Sequence, residues 1–546
     1  SQGVMRSSAV MATGTVVSRV TGVARDIAAA AALGFYLVSD AYSLGNSLPN
    51  ILYILVIGGA LNAVFVPQLV RHMKEDDDDG TAYANRLLTL VGSVLLVLSI
   101  VAVVAAPLIV DLYTPSDFPR NEFELAVAFA RLCLPQILFY GIYTMLSQVL
   151  NARGHFGMPM FAPIANNIVA IITFGLFIAV AGTSAAADGA LTTDQVLILG
   201  IGTTLGVVAQ ALILIPVLMR TGFGYRPRFD WRNAGLGKAG TLAAWTIGLV
   251  LVNQVTYLFI TRLAAQANVN AAAAGATAAG ITTYQKAHLV FMLPHSVITV
   301  SIVTAMLPAL SRLAHDGNLR RVGHDISFTM RLTAALVIPI AATFLVLGTS
   351  VAVLLFGYGA ATPEQASVMG AIVSLFMLGL LPFTLFYVLL RGFYAVEDTR
   401  TPFWITVVFS LVWLALAVPL FNLASHGGFQ VGMLALAYSI SYWVGLAIAW
   451  IVLTRRLGGL ESRRTLWSIA RMLVAAAVAT GLMFLVYANL STHVTNGVTG
   501  PKSGILINVI VVSIVGLLAY LAGTWMLRVD EVSDAVRMLS RKVTRR

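Results

Sequence analysis

Ser18–Val70 reads SRVTGVARDIAAAAALGFYLVSDAYSLGNSLPNILYILVIGGALNAVFVPQLV, two long apolar runs with charge set inside the first. Arg19 and Arg25 fall six residues apart, with Asp26 beside the second. An ionised side chain near mid-bilayer costs about 2.5–3.5 kcal/mol on insertion scales. A plain anchor gains nothing from carrying that cost twice. At about 100° per residue the two arginines lie roughly 120° apart around a helix and flank one broad face. They are placed either to meet an anion inside the membrane, or to reach the interface and pair structurally with Asp26 and Asp40.

The whole chain has the same character. Its 546 residues are 58% hydrophobic and only 10% charged, with a mean hydropathy of +0.87. This composition excludes a soluble globular protein and predicts an all-α polytopic membrane protein. At about 20 apolar residues per span, the sequence predicts about 14 transmembrane helices. They fall near 9–34, 44–70, 86–112, 125–150, 158–183, 195–220, 236–266, 280–310, 328–356, 366–394, 402–424, 430–453, 467–489 and 504–527. Spans one, seven and eight are the least apolar, as a cavity lining would be.

Joining these spans alternately puts 27 of the 34 Lys and Arg residues on one side. Arg120, Arg131 and Lys502 fall on the other, and Arg19, Arg25, Arg262 and Lys286 at membrane depth. The positive-inside rule then orients both termini to the cytoplasm. The net charge of +11 is thus a topology signal and a contact for anionic membrane lipids, not a nucleic-acid footprint. The acidic run Glu75–Asp79 is a solvated loop, and the stretch after Arg528 suits a basic amphipathic helix on the membrane surface. The single cysteine, Cys133, excludes an internal disulfide and reads as a small core residue. Eight scattered histidines offer no ligand spacing, so no metal site is expected. No cleavable signal sequence is expected either, since arginines run through the first apolar segment.

The two halves of the chain repeat at a nearly constant offset. Leu48-Pro49 recurs as Leu293-Pro294, and Tyr113 as Tyr358. Asn151-Ala152 with Pro159 recurs as Tyr394-Ala395 with Pro402, and Pro67 as Pro308. The reading is a six-helix bundle used twice, with two helices appended. Residues 1–228 form an N-lobe of spans 1–6, and 229–456 a C-lobe of spans 7–12. Spans 13–14 occupy 457–530, and a basic tail 531–546. Transporters of two related bundles bind substrate between them and alternate access by rocking.

Under that repeat, Arg19 and Arg25 from one lobe and Arg262 and Lys286 from the other are candidates to surround a phosphate or diphosphate. Arginine suits the task through its fixed charge and bidentate fork. The alternative for Arg262 and Lys286 is a position at a helix mouth, snorkelling to water. The chain has no P-loop, no Ser/His/Asp set and no paired carboxylates, so no enzyme and no cofactor is expected. Energy for transport would come from a Na+ or H+ gradient or the membrane potential. Asn253 and Asp398 are candidate ion-coordinating groups, with Gln254 and Asn422 beside them. A turn or an interhelical hydrogen bond accounts for each more simply.

The motifs Ser18-Arg19…Gly22-Val23-Ala24-Arg25-Asp26, Asp40-Ala41, Leu48-Pro49-Asn50 and Phe65-Val66-Pro67 open a collinear series. It continues with Leu150-Asn151-Ala152, Pro159…Phe161-Ala162-Pro163, Asn166, Leu307-Pro308…Ser311, Gly392-Phe393-Tyr394-Ala395, Asp398-Thr399 and Thr401-Pro402. Over essentially its full length the chain resembles the MurJ (MviN) lipid II flippases of the MOP exporter superfamily. The resemblance implies translocation of the undecaprenyl-pyrophosphate-linked peptidoglycan precursor, lipid II, from the cytoplasmic to the periplasmic leaflet of the bacterial cytoplasmic membrane. It implies cavity arginines at Arg19 and Arg25, with Asp26 beside them, an acidic residue at Asp40, and a groove at spans 13–14 for the lipid tail. Many members carry an arginine pair after the LPN motif. Here Tyr53 and Ile54 stand in that place, so span two adds no cation. The C-lobe cation is then Arg262 or Lys286.

Two other readings share this architecture. A multidrug or cation exporter needs an acidic cavity, and the membrane-depth acid, Asp26, already adjoins Arg25. A non-transporting scaffold would recruit cell-wall synthesis proteins or a cytoplasmic regulator through its tail, and leaves the intramembrane arginines without a role.

Overall fold

The computed structural model describes residues 2–58, 69, 72, 80–155, 157–230 and 240–532, and side chains outside 2–12, 57–58, 240–243, 305, 308 and 495. The later part of the second expected span, the run Glu75–Asp79, and the tail beyond Val532 lie outside the described residues. Every regular element described is helical. In a bilayer this is the open-chain solution that pairs every backbone N–H and C=O within its own segment.

The chain divides into two compact units, Ser1–Val269 with Tyr358–Ala361, and Asn270–Gly357 with the chain from Thr362 onward. The first unit holds α1 (Gln2–Leu33), α2 (Leu37–Tyr53), α3 (Thr81–Val104), α4 (Ala106–Tyr113), α5 (Arg120–Cys133) and α6 (Gln136–Ala152). It continues through α7 (Gly157–Ala181), α8 (Thr193–Leu212), α9 (Leu214–Arg220) and α10 (Gly240–Ala273) as far as Val269. The second unit comprises α11 (Ile281–Pro294), α12 (Val300–His315), α13 (Leu319–Phe356), α14 (Pro363–Met377), α15 (Leu380–Ala395), α16 (Arg400–Leu423), α17 (Gly427–Leu457), α18 (Ser462–Leu490) and α19 (Lys502–Met526).

Among the described residues 11 helices are long and apolar enough to cross a membrane, or 12 if α14 and α15, bent by 48°, make one span. These match expected spans three to fourteen. Within its described length α1 carries Arg19, Arg25 and Asp26, too much charge for an unassisted span. The spans of α10 and α11 are the least apolar of those that qualify, in line with the sequence.

Each unit shows the same local irregularity. Pro49 in α2 is followed by a π-helical turn at Ile54–Gly58, and Pro294 at the end of α11 by another at His295–Thr299. Proline removes one i→i−4 bond and π turns relax the ladder nearby. The repeat read from Leu48-Pro49 and Leu293-Pro294 therefore has a structural echo. The corner between α1 and α2 turns at Gly34, whose φ of +61° and whose 2.7 Å approach to the Ala360 carbonyl exclude a Cβ.

The first unit packs Leu33, Val38, Tyr42, Phe129, Phe174 and Phe177 into its core, with Tyr42 edge-on to both Phe129 and Phe174. Cys133 is fully buried. The second unit's core gathers Ile326, Met330, Leu389, Leu453, Met472 and Tyr520. One cation lies inside it. Arg331, one of the 27 cations that joining the spans alternately puts on one side, is 1% exposed. Its Nε lies 2.8 Å from Glu531 Oε1 and its Nη1 3.3 Å from Glu461 Oε2, while Thr465 accepts at 3.0 Å. His324 Nδ1 sits 2.9 Å from Glu461 Oε1. The His324 hydrogen bond first, and Arg331 with it, hold the Glu461 carboxyl below its usual range.

Candidate functional site

The charged stretch of α1 is organised by one residue of α7. Asn167 is 4% exposed. Its Oδ1 accepts from Arg25 Nη1 at 3.2 Å, and its Nδ2 donates to the Ser18 carbonyl at 3.1 Å and Thr21 Oγ1 at 3.0 Å. Arg25 Nη2 lies 3.2 Å from Asp26 Oδ2. The arginine side chain keeps 34% of its surface exposed while the aspartate keeps 7%. The amide thus fixes the fork of Arg25, and the buried carboxylate balances part of its charge while about a third of the side chain stays exposed. Arg19, six residues earlier, is exposed. The structure brings Arg25 and Asp26 together as read from sequence. Asn167 was missed, although an Asn in the apolar run PIANNIVA marks an interhelical contact.

Asp40 is 0% exposed. Its partner is Asn268 of α10, whose Nδ2 donates to Asp40 Oδ2 at 2.8 Å and to the Phe35 carbonyl at 3.2 Å. Ala360 donates its N–H to the Ala31 carbonyl at 2.8 Å in the same corner. Asp40 is thus a clamp point between the α1–α2 corner and α10, away from Arg25. Arg262, also on α10, donates through Nη1 to the carbonyls of Asp111 and Leu112 at 3.1 and 3.2 Å. These are last-turn carbonyls of α4, where a cation meets the negative end of the helix. Gln266 reaches Asp117 Oδ2 at 2.8 Å. Asn253 faces outward from α10.

In the second unit Lys286 is half-buried on α11. Beside it runs an aromatic and histidine cluster that the sequence did not single out. His288 Nε2 is 3.3 Å from the Tyr438 hydroxyl, and the His295 ring lies 4.6 Å from Phe383 and 4.8 Å from Tyr387. The Arg391 guanidinium sits over Tyr387 at 4.3 Å. His295 Nδ1, Thr299 Oγ1, Ser410 Oγ and Trp413 Nε1 are buried without a protein partner. Asp398 accepts from the Thr401 N–H at 3.0 Å and from Arg456 at 2.5 Å, closing the turn into α16. No group of three metal-capable side chains occurs among the described residues.

The second unit also carries an apolar groove of about 630 Å³ lined by Ile338, Leu345, Leu381, Trp443, Leu473 and Ala477 among others. It is walled by α13, α14, α15, α17 and α18, so the thirteenth span shares it with the ninth, tenth and twelfth.

Comparison with known proteins agrees with this architecture. The family described as "Lipid II flippase MurJ" matches residues 29–499. A "Probable lipid II flippase MurJ" of Vibrio cholerae is 26% identical over 91% of this chain and 92% of its own. One of Rhizobium tropici is 30% identical over 86% of this chain and 84% of its own. Among solved structures, "Lipid II flippase MurJ, inward closed conformation" superposes with a TM-score of 0.73 at 20% identity, covering 95% of this chain and 99% of that one. A multidrug resistance MATE family transporter of the MOP superfamily superposes at 0.61 and 14% identity, over 82% of this chain and 96% of that one. The chain is a multi-pass membrane protein and belongs to the MurJ lipid II flippase family.

Proposed function

We propose that this protein flips lipid II, the undecaprenyl-pyrophosphate-linked peptidoglycan precursor, from the cytoplasmic to the periplasmic leaflet by alternating access. The observation that carries the reading is Arg25, a half-exposed guanidinium fixed by Asn167 and half-balanced by Asp26 inside a membrane helix. Such a group offers a preorganised fork to a phosphate. Arg19 supplies a second cation on α1, and Asp26 tunes the first. Asp40 acts through the α1–α2 corner. Arg262 is committed to the end of α4, so Lys286 is the preferred cation of the second lobe. The lobes are taken as 1–228 and 229–456, with a groove between spans 13 and 14 serving the lipid tail. Transport draws on the membrane potential or a Na+ or H+ gradient, and both termini lie in the cytoplasm.

The sign of these charges sets this reading apart from a cation or drug exporter on the same fold. The test is complementation in cells depleted of their own flippase, comparing wild type, Arg19→Ala and Arg25→Ala at matched membrane levels. Rescue by wild type alone supports the assignment. Rescue by all three makes the arginines structural and moves the site elsewhere. Failure of a well-expressed wild type favours the exporter or scaffold.

A further inference from the structure

The helix α18 carries two features on one face. Arg463, Trp467, Ala470, Leu473 and Ala477 fall within about 120° of one another around its axis, and all five are exposed. At its start a surface pocket of about 1080 Å³ is lined by Glu461, Arg463, Arg464, Leu466 and Trp467 among others. Farther along, Leu473 and Ala477 line the apolar groove. A basic pocket and an apolar trough thus follow each other down a single helix.

The charges in the pocket are open to an anion. Glu461 is occupied by His324 at 2.9 Å and Arg331 at 3.3 Å. Its distance to Arg464 is 3.9 Å in an exposed geometry, which neutralises little. Trp467 is 65% exposed, on the side of the molecule where the basic loops gather, and an indole there sits at head-group level. The spacing sets the size of the occupant. Arg463 to Ala477 covers roughly 21 Å of helix at 1.5 Å per residue, about half of a bilayer measured with its head groups. One phospholipid is that long.

We infer that this face holds an anionic glycerophospholipid of the leaflet on the chain's basic side. Its phosphate sits on Arg463 and Arg464, its glycerol region at Trp467, and an acyl chain lies along Leu473 and Ala477 into the groove. This lipid is distinct from the translocated one, so the inference stands or falls independently of the flippase reading.

The test uses the full chain in nanodiscs and reads the preference for spin-labelled phosphatidylglycerol over phosphatidylcholine at the protein surface. Arg463→Gln with Arg464→Gln should lower that preference about 25-fold, two basic contacts at about fivefold each. The doubly lysine-substituted pair should keep most of it, because charge at the head group is retained. Arg312→Gln with Arg320→Gln removes the same charge from exposed sites on the same side and should change it by less than about twofold. Trp467→Ala should weaken both lipids' retention and leave their ratio. An equal loss in the Arg312/Arg320 control would overturn the site in favour of diffuse attraction. Abolition of the wild-type preference by inorganic phosphate would overturn the lipid in favour of a soluble anion. An unchanged preference in the double glutamine variant would overturn both.

Discussion

The leading helices of the two repeats, α1 and α10, occupy equivalent places in the sequence and are held in different ways. α1 is tied along its middle to α7 of its own bundle by Asn167, which holds Arg25 with about a third of its side chain exposed. α10 is tied towards its C-terminal end to the first unit through Asn268, Arg262 and Gln266. The compact units accordingly part at Val269 rather than at the start of the seventh span. One repeated helix presents charge, and the other spends it on anchoring. An internal repeat fixes where helices are, while single polar residues decide what each is for.

Breaking the α1 tie should have the largest effect. Asn167→Leu removes one contact to Arg25 and two to α1, at about 1 kcal/mol for a neutral hydrogen bond and about 1.5–3 for one to a charge. Complementation should fall at least tenfold and the melting temperature in detergent by several degrees. Asn167→Asp, which keeps a partner for Arg25, should recover stability before transport. The α10 tie comes next. Asn268→Ala and Asp40→Asn should each destabilise by about 1–3 kcal/mol, and a double-mutant cycle should return a coupling of about 1–2 kcal/mol. Additivity would mean the two are not joined. Arg262→Gln sharpens the contrast, since a helix-end cation contributes about 0.3–1 kcal/mol. Its transport should stay within about twofold of wild type, and a loss like that of Arg25→Ala would return it to the substrate. The smallest effect is on acid stability. The Glu461 carboxyl is held low by His324 and Arg331, so its contribution is present above the ordinary glutamate range near pH 4.3 and fades as pH falls below it. Glu461→Gln should flatten that limb of a melting-temperature profile.

Most of the architecture was legible because apolar length and basic loops report on the bilayer directly. The proline pair Pro49 and Pro294 was legible as a matched feature, and each stands just before a π-helical turn. The pairing of Arg25 with Asp26 was local enough to read. The role of Asn167 was not, because it acts 142 residues from Arg25, nor was that of Asn268, 228 residues from Asp40. Lone amides in apolar helices announce that a partner exists and not which one. The burial of Arg331 was hidden for a different reason. Its neighbours in sequence are loop arginines, and only the arrival of Glu461 and Glu531 makes its burial tolerable.

That last cluster has a consequence for how the chain is made. Arg331 emerges from the ribosome about 200 residues before Glu531, its 2.8 Å partner. Until α19 is inserted and the turn after it closes, the second unit holds a cation with part of its counter-charge missing. A chain that stopped short of Glu531 would keep almost all its spans and hold Arg331 against Glu461 and Thr465 alone, a partly compensated buried charge that lowers stability. The core of the second unit is therefore complete only when the very end of the described chain has arrived.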